Sequence, residues 1–204
     1  MKISVGSLVI SIKKARERGP EWYDSFASRD HYRVHYTDSE YYFLWSVIAD
    51  RIVNANAKSV LDIGCGSGQL AVLLHDKGVR NYHGIDFSPE FIELAKQRGL
   101  NFDFTLADVF KTDLLETVQY DTIIATEFLE HVKEDIAVIG RIRPGTRCYA
   151  TVPNFPFHAH VRHFKSATEV HDRYSKYFEK FRVDSFLAND KGKTYYLLEG
   201  EKIP

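Results

Sequence analysis

Three stretches of the chain concentrate residues able to do chemistry. The first, Val60-Leu61-Asp62-Ile63-Gly64-Cys65-Gly66-Ser67-Gly68, sets three glycines at alternate positions behind a short apolar run. Glycine adopts positive φ at low cost, so Gly64 and Gly66 permit a tight turn whose backbone can approach a ligand, and Gly68 lets a helix start close against the strand. Asp86 ends the next apolar run, where a carboxylate can accept both hydroxyls of a ribose. Asp108, followed by Val109, ends a third run and faces the same crevice.

The second stretch is Glu127-Phe128-Leu129-Glu130-His131-Val132. Its residue types allow three roles. A neutral His131 can act as a general base, since imidazole titrates near working pH. Glu127, Glu130 and His131 can instead contribute to a hard-metal site completed by a later histidine such as His163. In the third reading Glu130 and His131 begin a helix and contact only backbone. The base reading is preferred here, and no metal is expected.

The third stretch is Pro153-Asn154-Phe155-Pro156-Phe157-His158-Ala159-His160-Val161-Arg162-His163-Phe164. Donors at His158, His160, Arg162 and His163 alternate with apolar residues, and with Asn154 they suit a polar, ring-shaped acceptor. The Cys and His spacings of zinc sites are absent from it. An aromatic segment from Trp22 to Trp45 is expected to fold over the site as a lid, with Tyr32, His35 and Tyr36 excluding water.

The elements that must position these residues alternate regularly. Strands are predicted at 59–63, 81–85, 102–107, 121–125 and 147–152, and helices at 69–77, 89–98 and 135–141. Ser88 is the expected N-cap of the second helix with Pro89 at its first position, and Gly78 and Gly99 end helices. Such alternation requires crossovers and a parallel sheet, hence a doubly wound, Rossmann-like α/β domain. Upstream, a helix is predicted from an N-cap at Thr37 or Ser39 to Asn54, and another over Ile3 to Ala15 as a docking element. Downstream, a short helix near 168–177 precedes strands at 181–186 and 194–198, joined by 188–192 as an antiparallel hairpin. The expected division is a helical, aromatic cap (1–54), a cofactor-binding core (55–152), and a substrate loop with the C-terminal hairpin (153–204), all in one domain.

The chain has 204 residues, 44% hydrophobic and 27% charged, with a formal net charge of -1, so it can bury a core and carries no overall basic field. Nucleic acid is therefore not an expected partner, and no segment reads as a membrane span. Two cysteines, Cys65 and Cys148, lie in apolar stretches and suit a reducing cytoplasm.

The Asp-x-Gly-x-Gly-x-Gly turn with its distal Asp86 resembles the class I S-adenosylmethionine-dependent methyltransferases over about residues 37–204. The resemblance implies a seven-stranded sheet whose final hairpin reverses one strand. It implies that the turn, taken as Asp62, Gly64, Cys65, Gly66, Gly68 and Gln69, holds the methionine moiety of S-adenosylmethionine and of its product S-adenosylhomocysteine. Asp86 would then hold the ribose, Phe87, Asp108 and Val109 the adenine, and Glu127 would also border the cofactor. The Glu-x-x-Glu-His pattern is similar to ubiquinone-biosynthesis O-methyltransferases and to small-RNA 2′-O-methyltransferases, in which it belongs to a magnesium site. The expected activity is methyl transfer to a hydroxyl of a small polar molecule or carbohydrate, with His131 as catalytic residue and Tyr32, Tyr36, Asn154, His158, His160 and Arg162 at the acceptor. An RNA 2′-O-methyltransferase and a catalytically silent S-adenosylmethionine-binding module are the alternatives. A nicotinamide enzyme would need a substrate domain for which little chain remains.

Overall fold

The computed structural model describes residues 4–5, 8–9, 16–189 and 191–204. Its N-terminal part contains β1 (Ser4–Val5), β2 (Leu8–Val9), α1 (Pro20–Ala27) and α2 (Tyr42–Asn54). The central part runs β3 (Val60–Ile63), α3 (Gln69–Asp76), β4 (Tyr82–Asp86), α4 (Pro89–Lys96), β5 (Asp103–Leu106), α5 (Leu114–Thr117) and β6 (Thr122–Ala125). It continues through α6 (Asp135–Arg141), β7 (Arg147–Pro153), α7 (Ala167–Tyr174), β8 (Phe178–Leu187) and β9 (Thr194–Lys202).

Seven strands form one sheet in the order β5-β4-β3-β6-β7-β9-β8. Strands β3 to β7 are parallel, as their intervening helices require, and β9 runs antiparallel to both β7 and β8. Successive strand residues face opposite sides, which explains the two cores. Leu61, Ile63, Ile123, Ala150 and Val152 pack with Val138 and Ile139 of α6 and Val170 of α7. Val60, Ile124 and Tyr149 pack with Ile48 and Ile52 of α2 and Leu70 and Leu74 of α3. The parallel strands deliver the glycine turn, Asp86, Asp108, Glu127 and the loop after Pro153 to one sheet edge. Strand order reverses at β3, the place where this architecture opens a crevice.

Over that edge lies α1. Pro20 fits its first turn, and Asp24 accepts a hydrogen bond from the Ser88 hydroxyl at 2.5 Å. Ala27 packs with Phe91 and Leu94 of α4, joined by Tyr23 and Tyr32.

Several expectations are corrected. The helix expected over Ile3 to Ala15 is not formed where residues are described: Ser4–Val5 and Leu8–Val9 pair as antiparallel strands, and residues 10–15 lie outside the described ones. Helix α2 starts at Tyr42 because Tyr36–Asp38 forms a separate 3-10 turn, and Ser39 is spent accepting from the Tyr41 N–H at 3.2 Å. The short helices α1 and α5 had no periodicity long enough to announce them. Glu130 and His131 do not begin a helix; the chain turns from Thr126 to His131, and α6 starts at Asp135.

Candidate active site

The turn after β3 uses three left-handed glycines, with φ of 73° at Gly64, 53° at Gly66 and 74° at Gly68. Their side-chain space differs. A Cβ on Gly68 would stand 3.1 Å from the Ala95 backbone, whereas one on Gly66 would meet no atom within 4 Å. Gly68 therefore serves packing against α4, and Gly66 fronts open space. Beside that space Asp86 accepts the Gly66 N–H at 3.0 Å and the Ser88 N–H at 2.9 Å. Burial raises the Asp86 carboxyl to about 6 against the opposing effect of these N–H donors. Ser88 in turn caps α4 by accepting from the Phe91 N–H.

Other members of the expected cofactor set are placed differently. Asp62 is buried and accepts from the Tyr82 hydroxyl at 2.7 Å, so it braces β3 against β4. Burial raises its carboxyl to about 7. Cys65 is also buried, its thiol raised by burial. Gln69 donates to the carbonyls of His31 and Val34 and so fastens the cap to α3. Phe87 packs against the Tyr23 ring at 5.3 Å, on the crevice. Asp108 pairs with Lys111 at 2.8 Å and accepts the Phe110 N–H, while the Val109 side chain points into the core behind it.

The turn after β6 builds the second half. Glu127 sits at φ 51°, a strained value for a non-glycine residue. Its N–H donates to the Thr151 hydroxyl at 2.8 Å, and that hydroxyl donates to its Oε1 at 2.9 Å. Burial raises the Glu127 carboxyl to about 8. Glu130 is fully buried, and neither carboxyl oxygen has a hydrogen-bond partner among the described residues. Burial first, then the neighbouring Glu127, pushes it well above the usual carboxylate range.

Two imidazoles face this carboxyl group. Among the described residues His131 Nδ1 has the Ala159 carbonyl as its hydrogen-bond partner at 3.2 Å, and His160 Nδ1 has the Phe155 carbonyl at 3.1 Å. Each Nδ1 therefore carries the proton and donates it, which leaves the Nε2 lone pairs free. His131 Nε2 lies 3.8 Å from Glu130 Oε1. One ligand atom from each of Glu130, His131 and His160 falls within 4.8 Å of the other two. Burial, with His160 adding to it, lowers His131 to about 3. His131 is thus neutral, a good ligand and a weak base.

The loop after β7 straps this turn in place. The Val161 N–H donates to the Glu130 carbonyl at 2.8 Å. Arg162, expected at the acceptor, instead donates to the carbonyls of Leu129, Val132 and Lys133 and pairs with buried Asp135 at 3.2 Å. A non-helical turn leaves its carbonyls without ladder partners, and a guanidinium satisfies several at once. Asp135 also binds Arg173 at 2.6 Å and the Tyr174 hydroxyl at 2.7 Å, which anchors the strap to α7. Asn154 holds the β8–β9 connection, donating to Gly192 and accepting from the Thr194 N–H. His158 and His163 are exposed, and the later histidine that lies beside Glu130 and His131 is His160. Tyr36 reaches Asp76 at the far end of α3 with a 2.9 Å hydrogen bond, away from the crevice. His35 is exposed and bonds Thr37, so it does not cover the site either. Tyr32 meets Phe91 edge to face at 4.8 Å, ring centroid to ring centroid.

Three site residues escape the sequence reading. Thr151 looks like any strand threonine, Tyr23 is one of many aromatics, and Arg98 lies at a helix end where charge is ordinary. Arg98 bonds the Ser67 carbonyl of the glycine turn and the carbonyls of Tyr32, Arg33 and Val34, so it joins that turn to the cap.

Residues 60–144 match the family described as "Methyltransferase domain". Among curated relatives, the ubiquinone biosynthesis O-methyltransferase of Xylella fastidiosa (strain 9a5c) is 31% identical over 117 residues, 52% of this chain and 46% of that protein. The chain spans about half the length of the curated relatives it matches. Among solved structures, the N-methyltransferase NodS from Bradyrhizobium japonicum WM9 in complex with S-adenosyl-L-homocysteine superposes with a TM-score of 0.70 at 16% identity. That match covers 89% of this chain and 97% of that one. Magnesium protoporphyrin IX methyltransferase (ChlM) from Synechocystis PCC 6803 with bound SAM gives 0.65 at 18% identity, covering 89% and 95%. At these identities the superpositions establish the fold.

Proposed function

We propose that this chain is a class I S-adenosylmethionine-dependent methyltransferase that transfers the methyl group of that cofactor to a hydroxyl oxygen of a small molecule. The observation that carries the reading is the open space over Gly66 beside Asp86, on the same sheet edge as the cluster of Glu130, His131 and His160. The curated relatives, named as O-methyltransferases, support oxygen as the atom methylated. Buried free thiols at Cys65 and Cys148 support a reducing, cytoplasmic setting.

The residues present fit the cofactor. Gly66 leaves room for the methionine portion to lie on the backbone, ionised Asp86 can accept the ribose hydroxyls, and Phe87 offers a face to the adenine. The bound cofactor supplies an electrophilic methyl on a sulfonium, transferred in line, with S-adenosylhomocysteine as product. The chain's own contribution is to hold the acceptor oxygen at near-attack distance and keep water out.

A second reading concerns His131, and the partnerless Glu130 favours it over the metal-free base expected from sequence. A group lowered to about 3 is a poor match for an alcohol proton. The buried carboxyl with two free Nε2 lone pairs fits a divalent cation, with Glu127 adjacent. Glu130, His131 and His160 would hold it, and it would supply charge to stabilise the oxygen as its proton leaves.

The test is methyl transfer to a panel of hydroxyl-bearing small molecules, with and without chelator. Turnover should vanish in chelator and return with magnesium or manganese, and His131→Ala should lower kcat by about 100-fold with cofactor affinity retained. Chelator-insensitive turnover would overturn the metal reading. Cofactor binding with no turnover on any acceptor would point to a silent binding module.

A further inference from the structure

We propose that Tyr23 is a substrate-positioning residue: its ring forms the wall between the cofactor half and the Glu130–His131 half, and its hydroxyl donates a hydrogen bond to the acceptor oxygen. The inference rests on the methyltransferase reading above.

Tyr23 comes from α1, the cap helix, and is the point where the cap reaches both halves of the site. Its ring centroid lies 5.3 Å from Phe87, next to Asp86, and 5.9 Å from His131. On its other side it meets Trp22 edge to face at 4.9 Å. The neighbouring Asp24 fixes α1 to the N-cap of α4 through Ser88, so the ring's position is set by the same residue run that holds Asp86. Among the described residues the Tyr23 hydroxyl has no hydrogen-bond partner, whereas Asp24, the next residue, accepts from the Ser88 hydroxyl.

A phenol is protonated at physiological pH and is therefore a donor. A phenol near two carboxyl groups of opposite halves can donate to an oxygen between them but cannot take a proton there. A single donated bond occupies one lone pair of the acceptor oxygen and leaves another directed at the methyl group, which sets orientation. Tyr32, His35 and Tyr36, the lid residues expected from sequence, make no comparable approach: Tyr36 is bonded to Asp76 and His35 to Thr37.

Tyr23→Phe and Tyr23→Ala separate ring from hydroxyl. Tyr23→Phe should retain the melting temperature and bind S-adenosylmethionine within about twofold of the native protein, while kcat/KM for the acceptor falls about tenfold, the value of one hydrogen bond. Tyr23→Ala should weaken cofactor binding as well, because Phe87 loses its packing partner. A Tyr23→Phe variant with native kcat/KM would overturn the hydroxyl's assignment, and a Tyr23→Ala variant with native cofactor affinity would overturn the wall. Failure of the underlying reading is distinguishable, since the native protein would then bind no S-adenosylmethionine or would bind it and turn over no acceptor.

Discussion

Gly66→Ala separates binding from stability more cleanly than any other change in the glycine turn. In the free protein the new methyl would meet no atom within 4 Å, so its cost is conformational: alanine at φ 53° costs about 1 to 2 kcal/mol. For a domain of this size that lowers Tm by roughly 2 to 8 °C, and the variant should fold. At Gly68 the same change adds a contact at 3.1 Å with the Ala95 backbone and should cost more. Binding should rank the other way. The Gly66 methyl occupies the space assigned to the methionine portion, so affinity for S-adenosylmethionine and S-adenosylhomocysteine should fall tenfold or more, about 1.4 kcal/mol. Differential scanning calorimetry gives the first quantity and isothermal titration calorimetry the second. A folded Gly66→Ala protein with native affinity for both ligands would refute the cradle, whatever the Gly68 variant does.

Asp86 should make cofactor binding pH-dependent: ribose hydroxyls need the ionised carboxylate, so titrations should show affinity constant above about 6 and falling up to tenfold per pH unit below it. Because its folded value is raised, the free protein gains stability from Asp86 at low pH and loses it as pH rises from about 4 to about 6, readable by melting across that window. Glu130→Met removes a buried carboxyl without partners; the free protein should gain about 1 kcal/mol or more in denaturant titration while turnover is lost, and a destabilised variant would count against the idea that Glu130 waits for a ligand. Arg162→Ala should cost about 2 to 4 kcal/mol, since it leaves three carbonyls unpaired and takes from buried Asp135 one of its two guanidinium partners, and Arg162→Lys should recover only part because an ammonium cannot fork among them.

Much of this architecture is legible in residue pattern. Short apolar runs located β3 to β7 within a residue or two, and Ser88-Pro89 marked the start of α4 because capping is a local interaction. The hairpin at the sheet's end was readable for the same reason. The site was legible where backbone dictates residue type, as at Gly66 and Asp86. It was not legible where side chains reach across sequence. Nothing local says that Arg162 faces the carbonyls of Leu129 and Val132 and not the crevice, or that Asn154 clamps a turn 38 residues on. The choice of His160 over His163 depends on where the strap folds back, a tertiary property. The cap suffered most, because an aromatic-rich segment has many ways to bury rings and only packing against α4 selects Tyr23.

The antiparallel strand β9 has a consequence for how the molecule comes into being. It lies between β7 and β8, so the strand partners of β8 lie only in residues 194–202. A chain emerging from the ribosome N-terminus first can assemble β3 to β7 early, each strand meeting a neighbour already made. Until β9 arrives, β7 is an open edge and β8 has nothing to pair with, and both are exposed to pairing with other chains. Closing the sheet is therefore the latest of the strand pairings to form, and it covers the strand from whose end the strap on the Glu130–His131 turn grows.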